Sequence, residues 1–229
     1  MCGRYGITIS ATEAMRRLNI SLDRRTDPDT AARYNVPPGT AQLVAIGDPD
    51  ATDHKSLDAV HWGFLPSWQT QASKSSINMR LESAGKSYWR KAFERRRCAI
   101  PASWWYEWEK IDGGKQPFAI RPGDTEGFFF AGVWSAATGV PDDHKLHGRQ
   151  TFAILTQPAD PDIADIHHRM PVALTDDGIQ EWLSPGDDHD RLTEIIADTS
   201  YSYYESWPVD QRIGNPANDD PSIVERRSH

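Results

Sequence analysis

Trp104-Trp105-Tyr106-Glu107-Trp108, then Gly113-Gly114, then Pro117-Phe118-Ala119-Ile120 is the stretch that decides the fold class. Aromatic residues favour a pleated, half-buried backbone and a Gly-Gly pair supplies a tight reversal, so the two flanking runs read as arms of a β-hairpin. Working outward, Arg97 to Ile100, Gly127 to Trp134 and Thr151 to Thr156 are also strand-like, as are Gly3 to Ile9, Gln42 to Ile46 and Ala59 to Phe64. Helical spacing is confined to a few places. Thr12 to Leu18 places Ala14, Met15 and Leu18 on one face. Tyr88 to Arg96 sets Trp89 and Phe93 one turn apart, with Ser87 as the expected N-cap and a basic outer face. Thr175 opens a helix through Trp182, and Asp190 to Ala197 buries Leu192, Ile195 and Ile196. Strands dominate the middle with no regular β-α alternation. The expectation is α+β: a single domain over residues 2–229, with a largely antiparallel, barrel-like sheet and peripheral helices. Asp23 to Asp29 reads as a polar loop, and about 213–229 as a surface-running or loose segment.

A chain of 229 residues can bury roughly 70 % of its unfolded surface, enough for a core without staples. Its two cysteines, Cys2 and Cys98, make no disulfide framework and no Cys-x-x-Cys pair. Cys98 reads as a buried strand residue. No metal-ligand cluster, phosphate loop or dinucleotide fingerprint is present, and no cofactor is expected. The first residues lack the apolar run of a signal peptide, and no segment reaches the ~20 apolar residues of a membrane span. The expected compartment is a reducing cytoplasm. A net charge of −8 alone argues against nucleic acid. The charge is unevenly built, however. Lysine is scarce and aspartates crowd the loops (Asp48, Asp50, Asp53; Asp142, Asp143; Asp187, Asp188, Asp190), as in a salt-adapted organism, while Arg90, Lys91, Arg95, Arg96 and Arg97 form a local basic cluster.

Cys2 follows the initiator methionine and is small enough to permit aminopeptidase removal of Met1. The product carries an amine of pKa ~8 beside a thiol of ~8.5. The amine can form a Schiff base with an aldehyde, and the thiolate can close onto the imine carbon to give a thiazolidine. The competing reading is an ordinary small strand residue. Glu107, a carboxylate among aromatics, reads either as a proton donor with a raised pKa or as an exposed strand residue. In Ile166-His167-His168-Arg169-Met170-Pro171, the successive imidazoles point different ways, which disfavours a shared metal. One suits proton transfer, and Arg169 suits phosphate. Asn78 and Arg80 share one face of an extended segment, where they suit a sugar oxygen and a phosphate. Trp62 reads as core, and Trp68 as a candidate for stacking on bases.

In order, Met1-Cys2-Gly3-Arg4-Tyr5, Tyr34-Asn35-Val36-Pro37-Pro38-Gly39, Trp62-Gly63-Phe64-Leu65-Pro66, Asn78-Met79-Arg80-Leu81-Glu82, Cys98-Ala99-Ile100-Pro101-Ala102, Tyr106-Glu107-Trp108 and His167-His168-Arg169-Met170-Pro171 closely resemble the SOS-response-associated peptidase (SRAP) family. Trp207-Pro208-Val209, Gly214-Asn215 and Asp220-Pro221 resemble its closing segment. The resemblance implies a β-rich SRAP fold that recognises abasic sites in single-stranded DNA and forms a thiazolidine DNA–protein crosslink through Cys2. It implies that Asn78 places the cysteine and sugar, Glu107 transfers protons during Schiff-base formation, and His167 assists sugar opening and crosslink reversal. Arg4, Arg80 and Arg169 are expected to hold phosphates, with Asn35 close to the N-terminus and Trp68 and Trp108 against the DNA path. Self-processing removal of Met1, an abasic-site lyase side activity and a monomeric state away from membranes are further expectations. Trp104, where the family often has glycine, and Gln69, where some members carry a second tryptophan, are departures that bear on the base wedge rather than on Cys2.

Two rivals share features with this reading. N-terminal-nucleophile glutamine amidotransferases also begin Met-Cys-Gly, although the later motifs here do not suit a glutamine pocket. A non-covalent single-strand DNA-binding module would leave Cys2 incidental.

Overall fold

The computed structural model describes residues 2–20, 31–47, 55–123, 125–184, 186 and 188–227. Met1, the expected loop Asp23 to Asp29, and Asp48, Asp50, Asp53 and Asp187 lie outside the described residues. In chain order the elements are β1 (Tyr5–Ile7), α1 (Ala11–Arg17), β2 (Arg33–Val36), β3 (Ala41–Gly47), β4 (Lys55–Trp62), β5 (Asn78–Arg80), α2 (Arg90–Arg95), β6 (Arg97–Ala102), β7 (Trp104–Ile111) and β8 (Gly114–Pro122). There follow β9 (Phe128–Ala136), β10 (Gln150–Pro158), β11 (Arg169–Pro171), β12 (Ala173–Leu174), α3 (Asp176–Leu183), α4 (His189–Thr199) and β13 (Tyr204–Pro208).

Strands β10, β4, β3, β6 and β9 pair in succession, and β9 pairs back onto β10, so the sheet closes into a barrel. A second sheet runs β13-β8-β7-β1-β2. Pairing is antiparallel except where β4 and β5 lie parallel to β10. The fold is therefore α+β, a single domain of mostly antiparallel sheet with few helices.

The side-chain period of two along a strand explains why Phe128 to Val133 is apolar without interruption. Phe128 and Phe130 join one core with Tyr5, Trp62, Trp105 and Phe152, while Phe129, Ala131 and Val133 join another with Met15, Ile179, Trp182 and Ile196 of the helices. A strand covered on both faces reads as a continuous hydrophobic run. The helices start where local chemistry dictates. The Ser10 hydroxyl accepts from Glu13 N at 3.1 Å, and Thr175 Oγ1 from Gly178 N at 3.3 Å, each satisfying a donor the first turn leaves open.

Four local expectations shift. The hairpin turn is Asp112-Gly113, because Ile111 pairs with Gly114, and Gly113 takes φ +84°, a region glycine enters without steric cost. Helix α2 begins at Arg90 rather than Tyr88, and Ser87 does not cap it: Trp89 N and Arg90 N both donate to Lys86 O at 2.9 Å, forming a turn ahead of the helix. Arg97 leaves the basic cluster. It is buried, donating to Trp182 O at 2.7 Å and Ser184 O at 2.6 Å at the end of α3, where carbonyls lack helical partners. Over its described residues, 213–227, the closing segment runs along the surface and is tied down. Ile213 and Ile223 are buried against Tyr106 and Ala119, and Asp219 Oδ1 accepts from Tyr34 N at 2.5 Å and Asn35 N at 2.9 Å. Two apolar anchors among many polar residues were enough to fix it.

Candidate functional site

Strand β10 assembles the site by holding a short strand on each edge. On one edge Ile154 pairs with Asn78 and Thr156 with Arg80; on the other Gln157 pairs with Met170 and Pro158 with Arg169. Two motifs far apart in sequence thus meet at one end of the barrel. The first residues of the chain reach this place through β1, whose Tyr5 pairs with Trp105.

Cys2 is fully buried, in the core that contains Tyr5, Trp62 and Trp105. Asn78 Nδ2 donates to the Cys2 carbonyl oxygen at 2.9 Å. The other amide atom, Asn78 Oδ1, is buried with no protein partner, an acceptor left available in the pocket. Burial pushes the Cys2 thiol far up, and the carboxylate of Glu107 pushes it further, so the thiol is protonated at neutral pH while Met1 remains attached.

Glu107 lies on the Trp105 side of β7, one strand period along, and is 4 % exposed. The competing reading of an exposed strand glutamate does not hold. Its apolar surroundings raise its carboxyl pKa, which favours proton exchange nearer neutrality.

His167 is half-buried, and burial lowers its pKa below the usual imidazole range. Its Nδ1 lies 3.0 Å from both the N and the O of Arg169. When Nδ1 carries no proton, the Arg169 backbone N–H can donate to it. In the charged ring Nδ1–H can donate to the carbonyl. Both protonation states therefore have a backbone partner, as a proton-transfer residue needs. The expectation that His167 and His168 diverge is corrected: their rings stack with centroids 4.5 Å apart, His168 being the exposed one. Among the described residues no group of His, Cys, Asp or Glu is arranged to hold a metal, and no helix is long and apolar enough to cross a membrane.

The expected DNA-contacting residues separate into two kinds. Arg80 is exposed beside the site, and Trp68 is 61 % exposed with its ring edge-on to Tyr88. Trp108 is half-buried on the small core that includes Tyr106. Arg4 is partly buried, donating to Asn35 Oδ1 at 2.8 Å and Ile213 O at 3.2 Å. Asn35 is fully buried and its Nδ2 donates to Ile213 O, Asn215 O and Asn218 O, so it ties the closing segment to Arg4 rather than facing a ligand. Arg169 is buried too, and is not open to a phosphate: its guanidinium is bound by the Glu82 carboxylate and donates to Thr156 O at 2.7 Å.

Sequence reasoning gave Glu82 and Thr156 no role. Glu82 stood inside the Asn-Met-Arg-Leu-Glu motif, but its partner Arg169 is 87 residues away, and only the two edges of β10 bring them together.

The family model described as SOS response associated peptidase (SRAP) matches residues 1–216. The chain is 31 % identical to the abasic site processing protein YedK of Escherichia coli over 98 % of this chain and 99 % of that protein. It is 26 % identical to the abasic site processing protein HMCES of Gallus gallus over 80 % of this chain and 65 % of that protein. The crystal structure of a phage-related protein from Bordetella bronchiseptica superposes with a TM-score of 0.71 at 28 % identity, covering 92 % of this chain and 95 % of that one. A Bacteroides thetaiotaomicron protein at 20 % identity shares the fold with a TM-score of 0.78, covering 99 % and 100 % of the two chains. A family model matched over residues 1–216, together with a relative 31 % identical over 98 % of the chain, makes this chain a member of the SRAP family.

Proposed function

We propose that this protein recognises an abasic site in single-stranded DNA and, once Met1 is removed, captures its aldehyde as a thiazolidine at Cys2. The observation that carries the reading is the hydrogen bond from Asn78 Nδ2 to the Cys2 carbonyl, which fixes the backbone of the reacting residue beside Glu107. Relatives bearing the name abasic site processing protein support the substrate class.

The chemistry runs as follows. Protonated His167 gives a proton to the ring oxygen as the C1′–O4′ bond breaks, and the anomeric hydroxyl gives up its own proton as the aldehyde C=O forms, which restores His167. The free Cys2 amine adds to the carbonyl carbon and gives a carbinolamine. Protonated Glu107 delivers a proton to the departing hydroxyl, which leaves as water, and the C=N bond of an iminium forms. The Cys2 thiol loses its proton to the Glu107 carboxylate and sulfur bonds to the same carbon, closing the ring. One water is lost overall and Glu107 returns to its starting state. The raised carboxyl of Glu107 suits both halves of this exchange.

Loss of Met1 is the activating step, because an acylated amine cannot form an imine. Self-processing is one route to it. Without the thiol, the same imine is free to undergo β-elimination, so a Cys2→Ala protein retains lyase activity through its terminal amine. We read the protein as a cytoplasmic monomer.

Denaturing electrophoresis after incubation with abasic single-stranded DNA tests the reading. A shifted band with the mature chain is expected, and none when a residue is inserted between Met1 and Cys2 so that cysteine never becomes terminal. Binding without a band that survives denaturation would leave only a non-covalent module. Glutamine hydrolysis without any shifted band would favour the amidotransferase.

A further inference from the structure

A second feature of the barrel plays no part in the chemistry at Cys2. The end of β4 and the loop that precedes β10 enclose a cavity of about 260 Å³, where His61, Lys145, Arg149 and Gln150 stand over Ala41 and Ala59. Its lining contains three basic side chains and no carboxylate, in a chain of net charge −8. Elsewhere Arg17, Arg121, Arg191 and Arg227 all meet carboxylates. Among the described residues His61, Lys145 and Arg149 meet none. Asp142, on the same loop, is exposed and turned to His147 at 3.5 Å. Burial lowers the His61 imidazole, and the charges of Lys145 and Arg149 lower it further, a mutual repulsion that an anion would relieve.

The cavity lies on the loop that packs against the turn carrying Trp68. His61 pairs with Thr151 of β10, and Asn78 pairs with Ile154 further along the same strand edge. Three positions along a strand reverse the face, so His61 stands on the side of the sheet opposite to Asn78, over Ala41 and Ala59. The loop that carries Lys145 and Arg149 also supports the turn bearing exposed Trp68: Thr138 Oγ1 donates to Ser67 O at 3.2 Å, and a Cβ on Gly139 would meet the carbonyl oxygens of Ser67 and Gln69 within 2.8 Å.

We propose that His61, Lys145 and Arg149 hold a backbone phosphate of the DNA strand where it runs past Trp68. This rests on the DNA reading above and adds a subsite to it. Two cations without carboxylate partners, with an imidazole and an amide alongside, suit a phosphodiester, which is singly charged and accepts several hydrogen bonds. The subsite reads no base, so it adds affinity and salt dependence rather than sequence preference.

The test is equilibrium binding, by fluorescence anisotropy, to an undamaged single strand of about 20 nucleotides, longer than most single-strand sites. Lys145→Glu/Arg149→Glu is compared with wild type and with Arg16→Glu/Arg191→Glu, which makes the same charge change on exposed faces of α1 and α4. The expected result is an affinity about tenfold lower for the first variant only, with a log–log salt slope shallower by about 0.7, the single-strand value for one phosphate contact. Equal affinity of the first variant and wild type, or equal losses in both variants, would overturn the subsite. Crosslinking to an abasic strand in the same samples reports separately on the chemistry at Cys2, because undamaged DNA carries no aldehyde.

Discussion

Asn78 Nδ2 donates to the carbonyl oxygen of Cys2 at 2.9 Å, joining two residues 76 positions apart. Asn78 reaches that place only because β5 pairs in parallel with β10. The interaction holds the backbone of a residue that is otherwise close to a free chain end, where ordering is normally weakest.

Asn78→Ala should therefore slow crosslinking by about tenfold to a hundredfold, the scale of a lost orienting contact. The fold should lose only about 1 kcal/mol, the net worth of one hydrogen bond. Single-turnover crosslinking rates and thermal melting, measured together, separate the two effects.

Glu107→Gln should trade activity for stability. Loss of a positioned acid–base group costs about 10²-fold in rate. The carboxyl of Glu107 is raised in the folded protein, so the folded state holds its proton more tightly than the unfolded chain does. Ionised Glu107 then destabilises the fold as pH climbs past the unfolded carboxylate pKa of ~4.3, and the penalty is complete above the folded value. The glutamine variant should melt higher than wild type at pH 8, and the difference should vanish below pH ~4. A difference that grows on acidification would contradict the assignment.

His167→Ala should be impaired mainly at sugar opening. On a ring-closed abasic strand its crosslinking should be slower than wild type by about 10²-fold, whereas on a strand carrying an acyclic aldehyde the two should be nearly equal. Because His167 must be protonated to donate and burial lowers its pKa below the usual ~6.5, the ring-opening step in the wild type should quicken as pH falls from 8 and level off only below that lowered value.

Glu82→Gln tests the buried arginine. Arg169 lowers the carboxyl pKa of Glu82 through their hydrogen bonds, so the pair stabilises the fold above the unfolded carboxylate pKa and the contribution is lost as pH falls through the lowered value. Glu82 is itself half-exposed, which limits the loss to about 0.2–1 kcal/mol at neutral pH. The melting gap between wild type and variant should narrow below pH 4, and equal melting temperatures at pH 7 would show that the pair contributes nothing.

Much of this was legible in the sequence, for identifiable reasons. The barrel announced itself through Phe128 to Val133, whose unbroken apolar run matches a strand covered on both faces. Cys2, Asn78, Glu107 and His167 stood in ordered motifs that resemble one family. Roles that depend on long-range pairing were not legible. Arg169 and Arg97 are guanidiniums in basic-looking contexts, yet each is buried against a partner from a distant segment, the Glu82 carboxylate for Arg169 and the Trp182 carbonyl for Arg97. Asn35 looked like a site residue, but the four hydrogen bonds of its side chain go to Arg4 and the closing segment, whose anchors Ile213 and Ile223 are hidden among polar neighbours.

The central claim is covalent capture by a terminal cysteine, and intact mass spectrometry of the protein mixed with abasic single-stranded DNA tests it most directly. The predicted species has the mass of the chain without Met1 plus the DNA less one water, and it persists without borohydride, since a thiazolidine needs no reduction to survive. Unmodified masses alone, or an adduct on a chain that still carries Met1, would contradict the account.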